Sequence, residues 1–224
     1  MMNKAKTMAA LFDLDGTLVD SLQDIAASMN EVLVNRGFSP HPVEPYRVFV
    51  GDGMDMLVRR VLPKEVDVSS SLLRDMIQDM KLAYARHWRE HAFAYEGIKE
   101  LLVSLGEQGY LLGVLSNKPE AFTREMVSYV FPDINFNIVR GARTQVPIKP
   151  DPAGAHAILK EWGLEPEQVL YVGDTNTDMQ TGKNTGMYTV GVTWGFRDRE
   201  ELESNGADDV VDHPQEISDR ILGV

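Results

Sequence analysis

The chain has 224 residues, enough for one large core or for a core with a smaller module. Its 43% hydrophobic and 25% charged content is that of a folded globular protein, and with no cysteine it has neither disulfides nor thiolate metal sites, which suits a cytoplasmic setting. A net charge of −12 argues against nucleic acid as a partner. No apolar stretch reaches the roughly 20 residues that span a bilayer, and the polar Met1–Thr7 lacks a signal-peptide core, so no membrane role is expected.

In chain order, the apolar run Met8–Phe12 reads as a buried strand that breaks into a loop at Gly16-Thr17. Residues 21–95 then read as helical, with segments at Ser21–Arg36, Met54–Leu62 and Ser70–His91. The last carries Leu72, Leu73, Met76, Met80 and Tyr84 at near-helical spacing, a stripe read as helix core. Beyond it, strands at Tyr110–Leu115, Phe136–Val139, Val169–Val172 and Tyr188–Val192, with a short edge at Val210-Val211, alternate with helical patterns. Those helices are Ile98–Glu107, Glu120–Val130, Pro152–Trp162 and Asn176–Asn184. The alternation predicts an α/β fold, a doubly wound parallel sheet with right-handed crossovers, interrupted by one helical insertion.

The strand ends carry the chemistry. Asp13 and Asp15 lie two apart where the first strand ends, so their side chains share a face at the edge where open α/β sheets place ligands. Two crowded carboxylates need a cation or a shared proton, and Mg²⁺ suits oxygen-only ligands. Ser116-Asn117-Lys118, Lys149-Pro150, and Asp174 with Asp178 stand at or just after later strand ends and converge on the same crevice. Taken singly, each is as ordinary as a turn, a helix cap or a surface loop.

Together, Phe12–Ser21 and these three later segments resemble the four successive signatures of the haloacid dehalogenase superfamily, over residues 8–192. The resemblance implies a Rossmann-like core (1–20 and 96–224) with a helical cap (21–95). It implies a Mg²⁺-dependent phosphate monoester hydrolase in which Asp13 is the nucleophile and Asp15 the general acid and base. In that scheme Lys149 offsets charge, Ser116 and the Asn117 amide hold the phosphoryl oxygens, and Thr17 and Lys118 are close neighbours. The metal falls to Asp13, Asp15 (through its carbonyl), Asp174 and Asp178, the last directly or through water. The partner implied is a small phosphate ester; a monomer or homodimer is expected, and the two chain crossings at the ends of the insertion predict a cap that closes about hinges at Leu18–Ser21 and Phe93–Gly97.

Asp15 followed by Gly-Thr favours a phosphatase or phosphomutase over a dehalogenase. Val50-Gly51-Asp52-Gly53, with Leu57, Val58, Arg59, Arg60 and Leu62, is similar to the cap segment of phosphoglycolate phosphatases. The Gly51 and Gly53 turn either offers amides to an anion or simply starts a helix. Pyrophosphatase, nucleotide or sugar-phosphate phosphatase and β-phosphoglucomutase-type activity stay open, as does a non-catalytic phosphate-binding module. From another class, His87-x-x-Glu90-His91 spells an inverted zinc-protease pattern, which would need a third ligand and is otherwise explained by surface histidines.

Overall fold

The computed structural model describes residues 7–66 and 70–222. Six parallel strands form the main sheet, the central ones short runs buried on both faces and the edge ones half-buried. They are β1 (Ala9–Phe12), β4 (Leu111–Pro119), β5 (Ile138–Ala142), β6 (Val169–Gly173), β7 (Tyr188–Val192) and β8 (Asp209–Val211), in spatial order β5-β4-β1-β6-β7-β8. β1 is central and pairs with β4 on one side and β6 on the other, so the chain winds outward in both directions from it. That reversal opens a crevice at the carboxyl ends of these three strands.

Alternation along β1 divides the interior. Ala10 and Phe12 face the larger core cluster, while Ala9 and Leu11 face a second one built on Leu115, Ile158 and Tyr171. Helices α5 (Ile98–Glu107), α6 (Glu120–Val130), α7 (Ala153–Trp162), α8 (Asn176–Thr185), α9 (Arg199–Ser204) and α10 (Pro214–Leu222) link or flank the strands. α7 and α8 stop at Gly163 and Gly186, both in the left-handed conformation that suits a helix end.

The insertion runs through α1 (Leu22–Asn35), α2 (Tyr46–Phe49), α3 (Gly53–Val61) and α4 (Ser70–His87). Both of its ends are pinned together by an antiparallel ribbon, β2 (Val19–Asp20) with β3 (Phe93–Ala94). The apolar stripe of α4 is core, as its spacing predicts: Leu73, Met76, Met80 and Tyr84 are buried. Leu72 packs against the same cluster, partly buried.

Several boundaries differ from the sequence reading. β4 continues through Ser116, Asn117 and Lys118 to Pro119 rather than ending at Leu115. α4 ends at His87, not His91, and the chain turns there so that the His91 amide and ring both reach the buried Asp24 carboxylate. His87 instead faces Glu31 and Glu90. The two histidines therefore do not share a helix face, which removes the geometric basis of the zinc-protease pattern. α2, α9, α10 and the β2/β3 ribbon are too short or too polar for periodicity to reveal, and the sequence reading missed them.

Candidate active site

The carboxyl ends of β1, β4 and β6 bring the polar residues of the four segments together. Asp13 leaves β1, and Lys149 Nζ sits 2.8 Å from its Oδ1. The same ammonium lies 2.7 Å from Asp178 Oδ1 on the first turn of α8. Asp178 is held in turn by the Tyr171 hydroxyl (3.1 Å), the Thr175 amide (3.1 Å) and the Thr175 hydroxyl (2.7 Å). The Thr175–Asp178 exchange is a helix-start capping box, legible from their spacing, whereas Tyr171 gave no sequence signal.

Asp174 is fully buried; Thr17 Oγ1 donates to its Oδ1 at 2.9 Å and the Phe196 amide to its Oδ2 at 2.9 Å. Gly16, at φ +86°, lets the loop after β1 close onto this carboxylate, with which a Cβ there would collide. Asp15 takes both oxygens to Lys118 Nζ, at 2.7 and 2.8 Å, and also accepts from Ser21 Oγ. Ser116 Oγ accepts from the Lys118 amide at 3.2 Å. Asn117 ties three segments: its Nδ2 donates to Gly51 O (3.0 Å) and Lys149 O (3.1 Å), and its Oδ1 accepts from the Lys149 amide (2.9 Å).

Gly51 and Gly53, with φ of +114° and +81°, turn the chain into α3 and line the same chamber as Asp13, Asp15, Ser116, Asn117 and Lys118. Asp52 between them pairs with Arg60 and accepts from Thr177 Oγ1 at 2.6 Å. Arg197 donates to the Arg47 and Val50 carbonyls, with 3.1 Å to the latter. Neither Thr177 nor Arg197 was singled out from sequence. All the predicted site residues thus meet at one place, with the insertion seated over them.

The electrostatics are those of a buried cluster of carboxylates. Burial, with the nearby Asp178 and Asp15 carboxylates, pushes Asp13 up to about 7 despite Lys149. Burial and the Asp178 and Asp13 carboxylates raise Asp174 well above the usual carboxylate range. Burial disfavours the Lys149 ammonium, but Asp13 and Asp178 outweigh it and keep it charged. Oxygen atoms of Asp13, Asp174 and Asp178 lie within 4.8 Å of one another, a spacing that could hold a metal ion. Three buried, hard oxygen donors whose charge is under-compensated fit a divalent cation of the Mg²⁺ kind.

Residues 10–192 match the family of haloacid dehalogenase-like hydrolases. The chain belongs to this family. As a haloacid dehalogenase-like hydrolase it is similar to the phosphoglycolate phosphatase of Pseudomonas putida, 33% identical over 205 residues that cover 90% of this chain and 75% of that protein. It is also similar to the phosphoglycolate phosphatase of Mannheimia succiniciproducens, 33% identical and covering 83% and 85% of the two chains. Among solved structures, a predicted phosphoglycolate phosphatase from Haemophilus somnus superposes with a TM-score of 0.88 at 28% identity, covering 95% of this chain and 96% of that one. A haloacid dehalogenase-like family hydrolase from Streptococcus pneumoniae superposes with a TM-score of 0.85 at 25% identity, covering 95% and 97%. The hydrolase fold and the enzyme class expected from the four segments are therefore those of the family, and among the described residues no helix is long and apolar enough to cross a membrane.

Proposed function

We propose that the protein is a Mg²⁺-dependent phosphatase of small phosphate monoesters, with phosphoglycolate as its preferred substrate, working through an aspartyl-phosphate. The observation that carries this reading is the Lys149 ammonium set between Asp13 and Asp178, which leaves a buried carboxylate beside a fixed positive charge. Such a pair suits attack on a phosphoryl dianion, because the lysine offsets the repulsion between nucleophile and substrate.

In this scheme an Asp13 oxygen forms a bond to phosphorus and the ester P–O bond breaks. Asp15 gives its proton to the departing alcohol oxygen. Asp15 then takes a proton from water, whose oxygen attacks the phosphoryl group, and the P–O bond to Asp13 breaks to release phosphate. Ser116 and the Asn117 amide hold phosphoryl oxygens, and Lys118 fixes Asp15. Thr17 fixes Asp174. Asp13, Asp174 and the Asp15 carbonyl would hold Mg²⁺, which when bound supplies charge neutralisation. The engagement of both Asp178 oxygens by Lys149, Tyr171 and Thr175 favours for Asp178 the role of positioning Lys149.

Residues 21–95 act as the cap and 1–20 with 96–224 as the core, with the Gly51–Gly53 turn closing the chamber. The similarity to phosphoglycolate phosphatases over most of the chain supports the substrate, and a cytoplasmic monomer or homodimer suits such an enzyme. Phosphate release from phosphoglycolate, sugar phosphates, nucleotides and pyrophosphate, with Mg²⁺ present or chelated, tests the reading. Mg²⁺-dependent preference for phosphoglycolate supports it; equal rates on all esters would remove the substrate and leave the chemistry.

A further inference from the structure

Neither a helix nor a strand places Lys149; it stands in a turn that the Asp151 amide closes on the Ile148 carbonyl. Residues 143–148 before it are mostly exposed, Ile148 at 40%, and Pro150 after it is exposed too, yet Lys149 itself is buried. A lysine stem is long and flexible, so an ammonium fixed 2.8 Å from Asp13 needs a fixed main chain beneath it. Asn184 Nδ2 secures the loop from its exposed side, at 2.9 Å from the Pro150 carbonyl, and leaves the main-chain groups of Lys149 untouched.

Both of those groups end on one side chain. Asn117 Oδ1 accepts from the Lys149 amide at 2.9 Å, and Asn117 Nδ2 donates to the Lys149 carbonyl at 3.1 Å. Among the described residues no backbone group pairs with either. The second Nδ2 hydrogen goes to the Gly51 carbonyl of the insertion, at 3.0 Å. Two carbonyls facing one end and an N–H facing the other define which end of the carboxamide is nitrogen. Both side-chain donors of Asn117 are therefore engaged by protein, and the buried carboxamide has no N–H left for a substrate.

We propose that the Asn117 side chain is a positioning residue for catalysis: its carboxamide clamps the main chain of Lys149 so that the ammonium stays against Asp13. The inference rests on the phosphatase reading above and gives the side chain a role that the reading leaves to the Asn117 amide alone. The amide holds a phosphoryl oxygen; the carboxamide places the charge that offsets the phosphoryl group. Because one residue does both, the end of β4 and Lys149 keep a fixed relation. Displacing a group in such a site by an ångström can cost about a hundredfold in rate.

The test is a double-mutant cycle with Mg²⁺, on whichever ester of the panel above the wild type hydrolyses fastest. Asn117→Ala is expected to lower kcat/KM about tenfold to a hundredfold. The same substitution in Lys149→Met is expected to change kcat/KM by less than about twofold, because the lysine it would place is gone. Asn184→Ala, which loosens the same loop elsewhere, is expected to stay within about twofold of wild type. Equal losses from Asn117→Ala in both backgrounds would mark a merely structural role and overturn the proposal, as would no loss in the wild-type background. Amide hydrogen exchange of the wild type, read by NMR, keeps the clamp falsifiable should Asn117→Ala fold poorly. The Lys149 amide is expected to exchange at least about tenfold more slowly than those of Thr144, Gln145 and Ile148 in the exposed loop. Exchange as fast as theirs overturns the clamp. No Mg²⁺-dependent phosphate release from any ester by the wild type, with the Lys149 amide protected, would instead overturn the phosphatase reading and with it the catalytic role, leaving the clamp as a structural contact.

Discussion

Lys149 Nζ stands 2.8 Å from Asp13 Oδ1, with Asp178 bracing it from the far side at 2.7 Å. Removing the ammonium leaves two buried carboxylates facing each other. Lys149→Met is expected to lower turnover by about 10³-fold and, in metal-free protein at neutral pH, to cost about 3 kcal/mol of stability. Steady-state kinetics and urea unfolding measure both, and wild-type phosphate affinity in the variant would contradict the assignment.

Asp178 offers a gentler perturbation. Asp178→Asn keeps an oxygen for the Thr175 capping contact but removes the charge opposite Lys149. The expected result is a folded protein with kcat reduced about tenfold to a hundredfold and thermal unfolding shifted by only a few degrees. Loss of Mg²⁺ affinity with unchanged kcat at saturating metal would instead place Asp178 among the metal ligands.

The raised Asp13 gives a stability signature. A carboxyl that titrates near 3.8 unfolded and about 7 folded holds its proton more tightly in the native state. Metal-free stability from this group is therefore fully present below pH 4 and is lost as pH rises through about 7; the raised Asp174 acts in the same direction. A cation among these acids reverses the loss. Mg²⁺ is expected to raise the melting temperature clearly at pH 7.5 and little at pH 5, as differential scanning fluorimetry reads; equal shifts at both would contradict the fit of a divalent ion to this cluster.

Closure of the insertion over the site has its own handle. Arg197 bonds the Arg47 and Val50 carbonyls, and the β2/β3 ribbon sets both ends of the insertion side by side, where a hinge is expected. Arg197→Ala is expected to increase the radius of gyration of the ligand-free protein and to raise KM about threefold to tenfold, because the closed form is less populated. Identical scattering curves for the two proteins would mean that Arg197 does not hold the insertion down.

The sheet and the site floor were legible because apolar runs that end in polar residues mark buried strands, and every marked strand formed. Ser116, Asn117 and Lys118 looked like a turn because of their residue types, yet β4 carries them onward as an irregularity between its Leu115–Arg140 and Pro119–Ala142 pairs with β5. The end of α4 at His87 was not legible, because the chain leaves the helix to bring His91 to Asp24, 67 residues away. The same holds for partners that only tertiary packing brings together. Lys118 meets Asp15 across 103 residues of sequence, and the Tyr84 ring comes to lie over Lys118 although its spacing marks it simply as core.

The central claim is attack on phosphorus by Asp13, and rapid acid quench of the enzyme turning over labelled phosphoglycolate with Mg²⁺ tests it most directly. The account predicts an acid-stable, hydroxylamine-sensitive phosphoryl label that maps to Asp13 and is absent, together with turnover, in Asp13→Asn. Label on another side chain, or near-wild-type turnover in Asp13→Asn, would contradict it.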